Sequence, residues 1–161
     1  MMVEKGLKKQ SSEKGQSLIE LAVSLVVLLI LIAGIVDLGR AVFYFIAMRD
    51  AAQEGATYGS LNPTFCYEIE NRVRAGIVDN TNVEVDIKVA KRSSEDYQYW
   101  YKYDCTNLAV DVACEGNVIQ VTVKDPEFPI TMPFLGTFLG RQTIVLETTI
   151  KDTIITPRCV E

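Results

Sequence analysis

Two features near the N-terminus carry chemistry, and neither is a catalytic group. The Gly15-Gln16 peptide bond closes a basic leader and opens an apolar run, and Glu20 stands five residues beyond the glycine. Hydrolysis of that bond would leave a new α-amino group on Gln16, cationic near neutral pH. A helix starting there puts Glu20 about 7 Å along the axis from that amine. A carboxylate in a membrane helix costs about 2.5–3.5 kcal/mol at mid-bilayer, and less near an end. When two such helices pack, the amine of one can face Glu20 of the other, and each charge neutralises the other. Gly15 and Gln16 are thus candidate processing residues, and Glu20 is a candidate assembly residue.

Oxidation is the second available chemistry. Cys66, Cys105, Cys114 and Cys159 all follow the apolar run. An even count in an exported region points to two disulfides. Three pairings are open. The expected one is Cys105–Cys114, a short local loop, with Cys66–Cys159 tying back the C-terminal tail. The alternative is four reduced cysteines, some buried as small hydrophobes. A metal site is disfavoured, because the chain has no CxxC pair and no histidine.

The elements that position these groups follow from the apolar pattern. Ser17 to Val36 is 20 residues with few polar members, about 30 Å as a helix, the thickness of a hydrocarbon core. Lys5, Lys8, Lys9 and Lys14 precede it, and this bias keeps the N-terminus cytoplasmic and sends the rest outward. Three readings compete. A secretory signal peptide would be cut near Ala33-Gly34 or Gly39, but the run is longer than a usual h-region. An uncleaved anchor leaves Glu20 an accident near the interface. A prepilin-type leader, cut on the cytoplasmic side after Gly15, uses both Gly15 and Glu20.

Apolar residues continue past Asp37 and Arg40 at helical spacing through Val42, Phe45, Met48 and Ala52, with no proline until Pro63. One helix from Gln16 to Gly59, roughly 66 Å long, is expected. Ala47, Ala51, Gly55 and Gly59 recur every fourth residue. Such a ridge lets another backbone come close, and packing on the chain's own sheet is the favoured use over packing on neighbouring subunits. A short helix over 66–77 and strands near 83–89, 118–123 and 144–150 follow, with Pro126, Pro129 and Pro133 marking an irregular loop and one helical turn over 134–139 expected after it. The fold class is α+β and pilin-like: a long N-terminal transmembrane and amphipathic helix packed on a small antiparallel sheet. The expected divisions are a leader at 1–15, a transmembrane helix at 16–36, its protruding continuation at 37–60 and an extracytoplasmic α+β domain at 61–161.

Tyr97, Tyr99, Trp100, Tyr101 and Tyr103 form a candidate interface. In an extended chain the tyrosines share one face and Trp100 takes the other. They suit a glycan or a partner protein, although rings that cover the sheet in a hairpin closed by Cys105 are the favoured reading. Four of the 16 basic and two of the 21 acidic residues lie in 1–15, leaving 12 against 19 beyond it. That acidic exterior argues against nucleic acid or anionic lipid as the main partner. Without histidine, Ser-His-Asp and Cys-His catalysis are excluded. No glycine-rich phosphate loop, nucleophile elbow or calcium loop is present, so no cofactor is expected. A paired-carboxylate hydrolase is the least favoured class.

Three spaced segments resemble one family. They are Gly15-Gln16-Ser17-Leu18-Ile19-Glu20-Leu21-Ala22, Gly34-Ile35-Val36-Asp37-Leu38-Gly39-Arg40-Ala41 and Ala51-Ala52-Gln53-Glu54-Gly55-Ala56-Thr57-Tyr58-Gly59. Together they are similar to the TadE-like proteins, pilin-like (pseudopilin) components of the tight-adherence pilus. The C-terminal part is weakly similar through Val121-Thr122-Val123, the loop from Pro129 to Gly140, and Ile144 to Ile150. Val26 and its neighbours stand where the family often has proline, and Thr57 where it often has arginine. The resemblance implies cleavage after Gly15 by a prepilin peptidase, with Glu20 as the fifth mature residue. It implies a non-enzymatic minor pilin or pseudopilin, single-pass in the cytoplasmic (inner) membrane and in contact with other pilins. The rival readings are an uncleaved anchored domain that binds a glycan or protein, and a pseudopilin of the general secretion pathway.

Overall fold

The computed structural model describes residues 13–78, 81–92, 100–105, 112–132 and 140–158. One helix dominates it. Helix α1, Glu13–Leu61, has 49 residues, about 73 Å. Nothing in its sequence stops it earlier. Asn62-Pro63 then ends it, as a proline constrains the residue before it. Helix α2, Cys66–Ala75, turns back against it. Strands β1 (Glu84–Arg92), β2 (Trp100–Asp104), β3 (Val118–Pro129) and β4 (Thr143–Thr153) follow. They form one antiparallel sheet in the order β2-β1-β3-β4. The expected α+β arrangement, a long helix on a small antiparallel sheet, is what the chain adopts.

Alternation sets the sheet's two faces. Val85, Ile87 and Val89 lie opposite Val123, Val121 and Ile119, and Val121 lies opposite Ile150. Period-2 spacing puts these side chains on one face. That face meets Met48, Ala52 and Ala56 of α1 and Ile69 and Val73 of α2, all fully buried. The small-residue ridge is the contact surface. A methyl added to Gly55 would stand 2.4 Å from Val73 Cγ2, and one added to Gly59 would stand 2.4 Å from Ile119 Cδ1. Only glycine lets the backbone approach this closely, so the ridge serves the chain's own core, as expected. Arg72 locks the helix pair from outside, 3.6 Å from Glu54 and 4.1 Å above the Tyr58 ring.

β3 runs back along α1 towards its N-terminal half. Ile119 packs at Gly59, and Thr131 reaches Asp37. The strand is longer than expected: the proline loop begins only after Pro129, and Pro126 sits inside β3. A register shift between Asp125 and Phe128 takes Pro126 and Glu127 out of the ladder. Proline donates no hydrogen bond, so a bulge can hold it without losing a pair. Asp125 Oδ1 then accepts the freed Glu127 N–H at 3.0 Å. The single helical turn expected within 134–139 lies outside the described residues.

Candidate functional site

Gly15, Gln16 and Glu20 stand on the first turns of α1, and all three are exposed. The Gly15-Gln16 bond lies within the helix, and a methyl on Gly15 would meet nothing within 4 Å. With Ile19 these residues line a shallow surface depression. Above them, every large apolar side chain from Leu18 to Val36 except Ile30 is 49–70 % exposed. They point all round the helix. Left in water, about a dozen such side chains forfeit on the order of 20 kcal/mol, more than a domain's whole stability of roughly 5–15 kcal/mol. Such a stretch suits lipid or other helices around it. By length and composition, α1 is able to cross a membrane.

At the top of that stretch lies a cluster that sequence reasoning missed. In the sequence, Asp37 and Arg40 were legible as polar residues at the end of the apolar run and as part of a resemblance segment, with no hint of a structural role. In the structure Asp37 is buried. Thr131 Oγ1 donates to its Oδ1, and the Met132 backbone N–H donates to its Oδ2, from 94 and 95 residues away. Arg40 Nη1 lies 3.5 Å from Asp37 Oδ1 and 3.3 Å from Thr131 Oγ1. The Thr131 hydroxyl bond holds the Asp37 carboxyl below the usual carboxylate range; burial opposes this, and the Met132 N–H and Arg40 add to it. The end of β3 is thereby stapled to the helix just above its apolar run. The signal was a lone acid one turn from an arginine, with no hint of its distant partner.

The cysteines correct an expectation. Cys66 bonds to Cys105, so the expected Cys105–Cys114 and Cys66–Cys159 pairing does not hold. The topology explains this. β2 runs antiparallel to β1 and ends with Asp104 opposite Lys88. That end lies beside the start of α2, where Cys66 sits, and the two Cα atoms are 5.8 Å apart. Cys114 is also disulfide-bonded, and Cys159 lies outside the described residues. The tail is tied back without it: Ile155 N–H donates to Ser60 O and Thr156 Oγ1 to Leu61 O, at 2.9 and 2.8 Å.

Of the aromatic candidates, Tyr97 and Tyr99 lie outside the described residues. Trp100, Tyr101 and Tyr103 belong to β2, paired with Arg92, Lys91 and Val89 on an outer strand of the sheet. The structure does not bring these residues to Glu20 or Asp37. Among the described residues, no three His, Cys, Asp or Glu side chains converge on a metal position.

The geometry defines a class: a chain with one long apolar helix, able to cross a membrane, that continues into the core of a small α+β domain. The comparisons narrow it. The family model described as TadE-like protein matches residues 15–57, so this stretch is TadE-like. It begins at Gly15 and ends within the buried ridge. The match and the long apolar helix fit a membrane protein related to the tight-adherence pilus. No curated protein and no solved structure matches the chain.

Proposed function

We propose that this chain is a non-enzymatic minor pilin or pseudopilin of a tight-adherence pilus. α1 anchors it in the cytoplasmic membrane with the N-terminus inside, a prepilin peptidase cuts between Gly15 and Gln16, and the α+β domain works outside. The observation that carries this reading is that the TadE-like match begins at Gly15 and runs along α1. It covers the Gly15-Gln16 bond, Glu20, Asp37 and the ridge as far as Gly55 in one stretch. The new amine of Gln16 meets Glu20 of a neighbouring subunit, so that neither charge is left alone among apolar helices. Other pilins and pseudopilins are its partners. The mechanism is packing and charge neutralisation.

N-terminal sequencing of membrane-derived protein tests the cut. Gln16 is expected first in cells with an active prepilin peptidase, and a chain starting at Met1 or Met2 would sink the reading. Gly15→Val is expected to block cutting and leave insertion intact. Glu20→Gln should insert normally and lose association with its partners. A second reading, an uncleaved anchored domain that binds a glycan or protein, draws on the place of Trp100, Tyr101 and Tyr103 on an outer strand. It predicts normal function with the leader retained.

A further inference from the structure

The face of α1 that packs on the domain does not end where the apolar run ends. Tyr44, Ala41, Asp37, Gly34 and Ile30 recur at steps of three or four residues, and each is buried or half-buried. Between Leu18 and Ile32, Ile30 is the one residue that is half-buried, and all the others are exposed. Met132 accounts for Gly34, because a methyl added there would lie 3.5 Å from Met132 Sδ. The domain thus reaches down the helix below Asp37.

The depth of that contact follows from length. Lys14 is excluded from hydrocarbon, so a span starts no earlier than Gly15. A core of about 30 Å takes about 20 helical residues, which puts its outer boundary near Ile35. Ile30 then lies about 7 Å inside that boundary and Gly34 about 1.5 Å inside. Arg40 stands about 8 Å outside it, at headgroup level. The turn that follows β3 therefore meets the helix at the depth of the outer leaflet. Irregular backbone is tolerated there only with its polar groups paired. The hydrogen-bond donors of residues 130–132 meet that condition. The Met132 N–H and the Thr131 hydroxyl donate to Asp37, and the Ile130 N–H donates to Gln142 O at 2.8 Å. Ile130 and Met132 supply apolar side chains.

We propose that the domain is seated in the outer leaflet through Ile130–Met132, with lipid as the partner of this turn. The proposal rests on the reading that α1 spans a membrane. The seat fixes the depth and rotation of the domain on its anchor. The helix does not hinge at the membrane exit, and a subunit leaving the bilayer must withdraw the turn together with the span.

Tryptophan quenching tests this on the full chain in phosphatidylcholine vesicles. The single native tryptophan is first removed by Trp100→Phe. Probes are introduced separately by Met132→Trp and Leu25→Trp, with bromines on the lipid chains near the headgroup or near the bilayer centre. The Met132→Trp probe is expected to lose most of its intensity to the shallow bromines, and the Leu25→Trp probe to the deep ones. If Leu25→Trp is quenched by lipid while Met132→Trp responds only to aqueous iodide, the seat is wrong and the span stands. If neither is quenched by lipid, the span fails and the seat with it. Should Met132→Trp misfold by circular dichroism, Ile130→Trp gives the same readout.

Discussion

The two halves of α1 solve burial in opposite ways. From Leu18 to Val36 most side chains are large and apolar, and all but Ile30, Ala33 and Gly34 are exposed. From Met48 to Ser60 one face is small and buried (Ala51, Ala52, Gly55, Ala56 and Gly59), while Arg49, Asp50, Gln53, Glu54 and Thr57 are exposed. One unbroken helix runs through both. The upper half is shaped by its own chain, and the small residues admit Val73 and Ile119. Among the described residues, the lower half meets Met132 at Gly34, and bulky residues all round suit lipid or any facing helix. A substitution should therefore act on folding in the upper half and on environment or assembly in the lower.

The sharpest way to break that comparison is a matched pair of truncations. Met48 is completely buried, so Met48→Ala should cost about 2–5 kcal/mol by lost transfer energy and cavity formation. Leu28→Ala removes a similar volume from an exposed site and should stay within about 0.5 kcal/mol. Denaturant unfolding of the full chain in detergent micelles measures both. Equal losses would mean that the lower half is also packed by the chain itself.

Two glycines refine the contrast at smaller amplitude. Ala is favoured over Gly in a helix by about 1 kcal/mol. At Gly55 the added methyl runs into Val73 Cγ2, a branched side chain with little room to rotate. Overpacking should outweigh propensity there, and Gly55→Ala should destabilise by about 1–3 kcal/mol. At Gly39 nothing lies within 4 Å, and Gly39→Ala should raise stability slightly. If Gly39→Ala folds well and yet fails to assemble, Gly39 serves a contact between subunits rather than the fold.

What was legible in the sequence follows the same division. The helix, its ridge and the alternating strands were readable because period and residue size are local properties. The TadE-like start was readable for the same reason, since Gly15 and Glu20 stand five residues apart and each later resemblance segment is a short local stretch. Three features were not. The Cys66–Cys105 bond depends on where β2 ends relative to α2, which spacing along the chain does not encode. Pro126 read as a strand breaker, because a bulge is a property of two paired strands. The Asp37 cluster joins residues more than 90 positions apart, and a single acid after an apolar run looks the same whether it faces water or a loop.

Asp37 stands at the junction of the two halves, and its titration gives the smallest but most specific test. Its carboxyl is held below the ordinary value of 3.8, first by the Thr131 hydroxyl. A folded value below the unfolded one means that the ionised group favours the folded state. That contribution is complete above the ordinary carboxylate range. It fades as pH falls through the unfolded value of about 3.9 and then through the lower folded value. Asp37→Asn keeps the shape and removes the charge. The native chain should melt higher than Asp37→Asn at neutral pH, and the gap should close below about pH 4. Thr131→Val should lower the neutral-pH melting point in the same direction, since it removes the donor that holds the carboxylate. A gap that persists unchanged into acid would mean that the staple acts through shape alone. No gap at neutral pH would mean that the end of β3 is held to the helix by Met132 on Gly34, and that the charge at the junction contributes nothing to folding.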